Sequence, residues 1–305
     1  MSKKGEAKVL GVSRGSLYYK SKLAEKDEVL RQEIEQVMIA NPGYGYRRVA
    51  LEVGVNKKRA QRVMQKYQLK ALRRAKIPVK SDDRGKEALL YPDITKRLSP
   101  IAPDVIWASD FTYIKFHGNF VFLCTVIDLF TREVLGCSVM TSHTTELVIR
   151  AFNKALEKYG EAPKYLHSDQ GSEYTSDVIL HRLAALSVLP SLTPKSSPWR
   201  NGSQESFFGR LKVEFGDFER FQTLPELIEA IYHYIAYYNQ QRIHSAIKNK
   251  PSTFRKEWNQ RHIHNLSTAY QSPPRPPSFG SLVIQNDWQR LCSSTQLDVF
   301  TATEI

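Results

Sequence analysis

The sequence predicts a mixed α/β layer fold preceded by an all-α region of helix-turn-helix character. Three observations predict it. From residue 105 onward, three strand-like stretches come first, and helices then alternate with short strands. Before residue 77 the chain reads as short helices separated by breaks. Charge divides in the same region. Residues 1–80 hold 20 Lys+Arg against 7 Asp+Glu, whereas residues 81–305 hold 24 of each, so the whole excess of +13 lies in the first quarter of the 305 residues. Charge kept only for solubility does not segregate in this way; an arm for a polyanion does.

In the N-terminal region, residues 7–19 join a short apolar helix to a turn at Gly11, and Ser13 is placed to cap a second helix. Residues 26–40 form a charged amphipathic helix stopped by Asn41-Pro-Gly43. Residues 44–54 and 56–67 make a second helix-turn-helix unit. Asn56 is its N-cap, and Ala60, Val63, Met64 and Tyr67 recur at helical spacing on its buried side. Arg47 and Arg48 lie in the first helix of that unit. Lys57, Lys58, Arg59 and Arg62 lie in the first turns of the second, where a helix meets phosphate. Residues 1–76 are therefore assigned as the nucleic-acid-binding region and 77–104 as a polar linker.

In the core, residues 105–116, 120–127 and 133–140 read as strands, the first two joined by a turn at His117-Gly-Asn119. Residues 145–159 are an amphipathic helix, 164–168 a short strand and 177–186 helical. Residues 190–201 are a loop with three prolines, and 202–215 and 224–239 are helices. The core is bounded at 105–258. The tail, 259–305, includes the extended run Pro273-Pro-Arg-Pro-Pro277 and has no assigned role. Cys124, Cys137 and Cys292 are odd in number and include no CxxC pair, which argues against a disulfide framework or zinc knuckle. Cys124 and Cys137 fall in apolar runs and read as core. No targeting segment opens the chain and no apolar run is long enough to span a bilayer, so the expected location is cytoplasmic and nucleoid-associated, with no membrane partner.

Three segments concentrate the chemistry. They are Trp107-Ala-Ser-Asp110-Phe-Thr-Tyr113 in a strand, His167-Ser-Asp169-Gln-Gly-Ser-Glu-Tyr174 at a strand's end, and Asn201-Gly-Ser-Gln-Glu205-Ser-Phe-Phe at a helix start. A carboxylate inside an apolar strand is expensive to bury unless it is paired or metal-bound. Asp169 occupies the strand end at which α/β sheets place ligands. Oxygen donors of this kind, with no His or Cys set beside them, suit Mg2+ or Mn2+, and two such ions serve an in-line phosphoryl displacement. Asp128, in another apolar run, is the rival carboxylate and reads as a hairpin-end residue. Glu173 reads as a solvated loop acid, with a supporting place beside Asp169 as the alternative. His167 reads as a packed structural histidine, with orienting the site as the alternative, and His244 as packing.

These segments resemble the catalytic core of the integrase-like insertion-sequence transposases, in particular their second-frame (OrfB) products. That core is similar to retroviral integrases and has a ribonuclease-H-like fold. The family pattern is two aspartates and a glutamate, the last pair separated by 35 residues, and Asp169 and Glu205 have that separation. The resemblance spans residues 7–258, including Tyr44-Gly-Tyr-Arg-Arg before the core. It implies that Asp110, Asp169 and Glu205 hold two metal ions. It also implies cleavage at the ends of an insertion element, with the freed 3′-hydroxyl then joined to target DNA. Lys212, seven residues after Glu205 and on the same helix face, is then a phosphate contact at the DNA end. Trp199 and Arg200 lie in a loop whose wording departs from the family's; both are assigned to the DNA contacts above the site, with closure of the loop onto the core an equal alternative for Trp199. The implied partners are terminal inverted repeats, target DNA, further copies of the chain, and an upstream-frame product as a fusion. Two rival functions are a DNA-binding regulator with an idle core, which would bind ends without cutting, and a nuclease that cuts but never joins.

Overall fold

The computed structural model describes residues 3–17, 23–73, 91–93, 99–193 and 202–269. Met1–Glu257 form one compact unit and Trp258–Ile305 a second. The unit Met1–Glu257 includes both the N-terminal helices and the sheet.

The N-terminal helices are α1 (Lys3–Val9), α2 (Leu23–Ala40), α3 (Tyr46–Val53) and α4 (Lys57–Lys66). After Gly11, the Ser13 hydroxyl accepts from the Ser16 amide at 3.2 Å, but it opens a single 3-10 turn, Arg14–Leu17, rather than a second α-helix. Asn56 caps α4 by accepting from the Lys58 amide at 2.9 Å, which satisfies one of the donors a helix start leaves open. Leu30, Ile34, Tyr44, Val49, Val63 and Met64 form the helical core, and Ile243 from the catalytic region joins them. Asp27 is buried and receives both Arg62 guanidinium nitrogens at 2.6 Å. These bonds, opposed by burial and helped by Lys66, hold its carboxyl down to about 2.

The turn after α2 is seated on the catalytic region. The Tyr44 hydroxyl accepts from the Ile243 amide at 2.5 Å, and Tyr237 donates to Asn41 at 2.7 Å. A Cβ at Gly43 would stand 2.1 Å from a Glu214 carboxylate oxygen, so a larger residue would have to push aside the side chain that holds Arg242.

The sheet comprises β1 (Ile106–Phe116), β2 (Asn119–Asp128), β3 (Val134–Met140), β4 (Tyr165–Ser168) and β5 (Leu189–Leu192), in the order β3-β2-β1-β4-β5. β1, β2 and β3 run antiparallel, while β4 lies parallel to β1 and β5 parallel to β4. Its helices are α5 (Thr145–Tyr159), α6 (Ser172–Thr175), α7 (Asp177–Ala185), α8 (Gly202–Glu214), α9 (Leu224–Gln240) and α10 (Pro251–Ala269). Period-two alternation decides which side chain meets which layer. Trp107, Cys124 and Val126 pack with α5 and α7, whereas Ile114, Leu123 and Ile127 pack with α8 and α9. At Gly136 the α5 backbone comes so close that a Cβ would lie 2.1 Å from the Ala151 carbonyl oxygen.

Residues 189–192 differ from the expected proline loop. They pair with β4, Pro190 lying opposite Leu166. β5 is an edge strand, where a missing amide is tolerated, and four residues carry too little periodicity to be read. α6 and α10 are further elements that the sequence reading does not contain. Among the described residues no helix is long and apolar enough to cross a membrane. Cys292, the 273–277 run, Trp199 and Arg200 lie outside the described residues.

Candidate active site

Register brings the first two carboxylates together. Ala108 of β1 pairs with His167 of β4. Two residues further along each parallel strand lie Asp110 and, just beyond the end of β4, Asp169. They therefore flank the crevice at the carboxyl ends of the parallel pair. Asp110 accepts from the Phe111 amide at 2.8 Å. Asp169 accepts from the Gly171 amide at 3.0 Å and so also turns the chain into α6.

The third carboxylate arrives on α8, and Gln204 sets its place. This side chain is fully buried. Its amide donates to the carbonyls of Ala108 at 2.7 Å and Thr125 at 3.1 Å, and its oxygen accepts from the Thr125 hydroxyl at 2.8 Å. Thr125 is the cross-strand partner of Asp110. The start of α8 is thus stapled to the sheet at the level of Asp110, and the next residue is Glu205. Gln204, Phe207, Phe208 and Leu211 form the buried stripe of the helix.

Among the described residues no Lys or Arg forms an ion pair with these three acids. Burial pushes the Asp110 carboxyl up to about 7; Asp169 and then Glu205 add to the rise, and the Phe111 amide opposes it. Asp169 is itself raised, first by desolvation and then by Glu173, against the Gly171 amide. Glu173 is a correction: it is not a solvated loop acid but a buried one on α6, with His143 Nδ1 at 2.8 Å. The His143 ring stacks on Phe111.

The remaining residues singled out in the sequence lie away from this crevice or at its margin. Asp128 closes the β2–β3 turn, accepting from the amides of Phe130, Thr131 and Asp104. His167 is buried in β4, its Nδ1 2.9 Å from the Ser191 hydroxyl. His244 forms a bridge with Asn249. The Lys212 ammonium lies 5.1 Å from the centre of the Tyr113 ring. Arg47, Lys57, Lys58 and Arg59 are exposed. Arg62 is also exposed but is ion-paired with Asp27, whereas Arg48 is a buried residue of α3 whose guanidinium lies over the Tyr44 ring. Sequence reasoning missed Gln204. The signal was a polar residue in the first slot of an apolar i, i+3, i+4, i+7 stripe, which demands buried partners.

The mixed sheet, in the order β3-β2-β1-β4-β5 with helices packed against it, agrees with the class of protein that the family comparison identifies, the integrase cores. The integrase core domain family matches residues 100–198 and again 186–251. The chain is 31% identical over 249 residues to the putative transposase InsK of insertion sequence IS150 from Escherichia coli K12, covering 78% of this chain and 87% of the relative. It is 30% identical over 246 residues to the transposase of IS904 from Lactococcus lactis, covering 77% and 97%. Among solved structures, the magnesium complex of the HTLV-2 integrase catalytic core is 19% identical with a TM-score of 0.40, covering 52% of this chain and 99% of that one. The chain belongs to the integrase-core transposases of insertion sequences, and its substrate is DNA.

Among the described residues no three His, Cys, Asp or Glu side chains are drawn close enough to enclose a metal ion by themselves. The donor set nevertheless fits a hard divalent cation. It consists of three carboxylates, Asp110 half-buried and Asp169 and Glu205 exposed, and a cation would offset both the burial and the neighbouring acids that raise Asp110.

Proposed function

We propose that Asp110, Asp169 and Glu205 are the catalytic carboxylates with which this transposase cuts the ends of its element and joins them to target DNA. The observation that carries this reading is geometric: Asp110 and Asp169 lie at the carboxyl end of the parallel β1–β4 pair, and Gln204, bonded to the sheet beside Asp110, precedes Glu205. Mg2+ or Mn2+, as a pair held by these three residues, would supply Lewis-acid stabilisation of attacking and leaving oxygens. The protein's own part is positional. The β1–β4 register sets Asp110 against Asp169, and Gln204 indexes Glu205 over them. Lys212 grips phosphate at the DNA end, and Arg47, Lys57, Lys58 and Arg59 hold the flanking duplex. Paired element ends require more than one copy, so the working form is a homo-multimer on DNA.

The test is an assay of the purified chain with end duplexes and pre-nicked ends, in Mg2+, Mn2+ or EDTA. Metal-dependent cutting and joining are expected of the wild type and not of Asp110→Asn. An Asp110→Asn protein that joins ends at the wild-type rate sinks the assignment. End binding without cutting would show a regulator, and cutting without joining a nuclease.

A further inference from the structure

Two cavities beside Glu205 share Arg48 of α3 and Ser206 and Arg210 of α8. The larger, about 510 Å³, also takes in Arg73 and Glu205; the smaller, about 220 Å³, runs back to Arg242 and His244. Among the described residues Glu205 is the one acid on the larger wall, against Arg48, Arg73 and Arg210, and the smaller is lined by none. Arg242 is already satisfied, with both oxygens of Glu214 at 2.7 Å.

Arg48 has no such ion pair among the described residues. Only 8% of it is exposed, and its Nη1 is buried with no hydrogen-bond acceptor among the described residues. Its guanidinium lies over the Tyr44 ring at 5.1 Å. Burial, then Arg242 and Arg210, bring Arg48 down to about 10, so it remains charged at neutral pH. His244 is pushed down to about 4 by burial and by Arg132, Arg242, Arg48 and Arg210, so it adds no charge there. A buried guanidinium lacking acceptors destabilises the free protein, and an anion with several oxygens relieves it. The planar fork of arginine matches a phosphate.

We propose that Arg48 and Arg210 together bind one backbone phosphate of the substrate DNA, in the cavity between the N-terminal helices and α8. The proposal rests on the reading that Glu205 faces the DNA end. It adds a fixed distance. Arg210 rides on the helix that carries Glu205, and Arg48 on a helix group tied to the core through Tyr44 and Ile243. A phosphate gripped by both therefore sets the DNA backbone at a defined offset from Glu205 and joins end binding to the catalytic helix.

The experiment measures full-chain binding to end duplexes in EDTA across a NaCl series. The variants are Arg48→Met and Arg210→Ala, and the duplexes carry one neutral methylphosphonate at a time. Each variant is expected to weaken binding roughly tenfold and to lower the slope of log K against log salt by about one. One methylphosphonate position should produce the same loss in the wild type and add nothing in either variant. Without DNA, Arg48→Met should melt at or above the wild-type temperature, because an unpaired buried charge is gone. Arg210 is only half-buried, so its variant carries the test even if Arg48→Met fails to fold. Unchanged affinity and slope overturn the proposal. So does a flat methylphosphonate scan in which inorganic phosphate alone stabilises the wild type, which would mark a free-anion site. Metal-dependent joining by the wild type is read in parallel, so failure of the transposition chemistry is distinguishable from failure of this site.

Discussion

Asp104, Asp128 and Glu133 gather where β2 turns into β3, and Arg255 answers all three. Its nitrogens reach Asp104 at 2.7 and 2.9 Å, Glu133 at 3.0 Å and Asp128 at 3.7 Å. Lys158 adds a contact to Glu133 at 2.9 Å, and the hydroxyls of Tyr159 and Ser252 donate to it. A few residues along β1, Asp110, Asp169 and Glu205 have no Lys or Arg ion pair among the described residues. Burial raises both Asp128 and Asp110. The difference lies in what meets that rise: the Thr131 amide and Arg255 oppose it at Asp128, whereas Asp169 and Glu205 add to it at Asp110. Acids that hold a fold together come with their cations built in. Acids kept for a ligand are left to repel one another until it arrives.

The largest effect should separate the two groups outright. Asp110→Asn is expected to lower metal-dependent joining by at least about 10³-fold while leaving the metal-free protein folded. A melting temperature that falls along with activity would place Asp110 with the structural acids. Arg255→Met should do the reverse. Leaving three acids without their shared cation is expected to remove about 3–5 kcal/mol in urea unfolding. A loss below about 1 kcal/mol would mean the network is not what secures the β2–β3 turn. Gln204→Leu, which strips the donors from the Ala108 and Thr125 carbonyls, should cost about 1–3 kcal/mol and lower joining through Glu205. Joining at the wild-type rate in a Gln204→Leu protein destabilised by that amount would show that Gln204 does not index the site.

Acid titration offers a smaller contrast, between Asp110 and Asp27. Asp110, raised to about 7, keeps its proton in the native state after the unfolded chain has released it near 4. Its contribution to metal-free stability therefore falls as pH rises from about 4 to 7, and the advantage of Asp110→Asn over wild type should grow across that window. Asp27, held to about 2, behaves oppositely. Its contribution is intact above about pH 4 and is lost as pH falls towards 2, so the deficit of Asp27→Asn should shrink there. Melting curves in EDTA that stay parallel at all pH values would refute both. The smallest effect belongs to the exposed basic helix. Lys57→Ala or Lys58→Ala should each lower the salt slope of DNA binding by about one, with no change in sequence preference.

Much of the site is legible from particular residues. Asp110 stands out because a carboxylate in an apolar strand needs a reason. Asp169 and Glu205 stand out by their separation, and Asn56 by its place before a helical stripe. Glu173 escapes such reading because a short loop motif carries no sign of burial, and its pairing with His143 joins segments thirty residues apart. The burial of Arg48 and the ion pair of the exposed Arg62 both escape such reading, since a basic residue in a helix looks the same whether it faces water, an aspartate or the core. β5 is obscured by Pro190, whose cost disappears only at a sheet edge.

The order of the acids, the division of charge and the existence of most elements are set by the sequence alone, because periodicity, capping and spacing are properties of neighbours along a chain. Tertiary structure alone decided which charges are answered. Arg255 reaches back 151 residues to Asp104, Arg62 closes on Asp27, Gln204 reaches across to β1 and β2, and Arg48 Nη1 is enclosed without an acceptor among the described residues. Neutralisation and burial act through space, and only packing sets those distances.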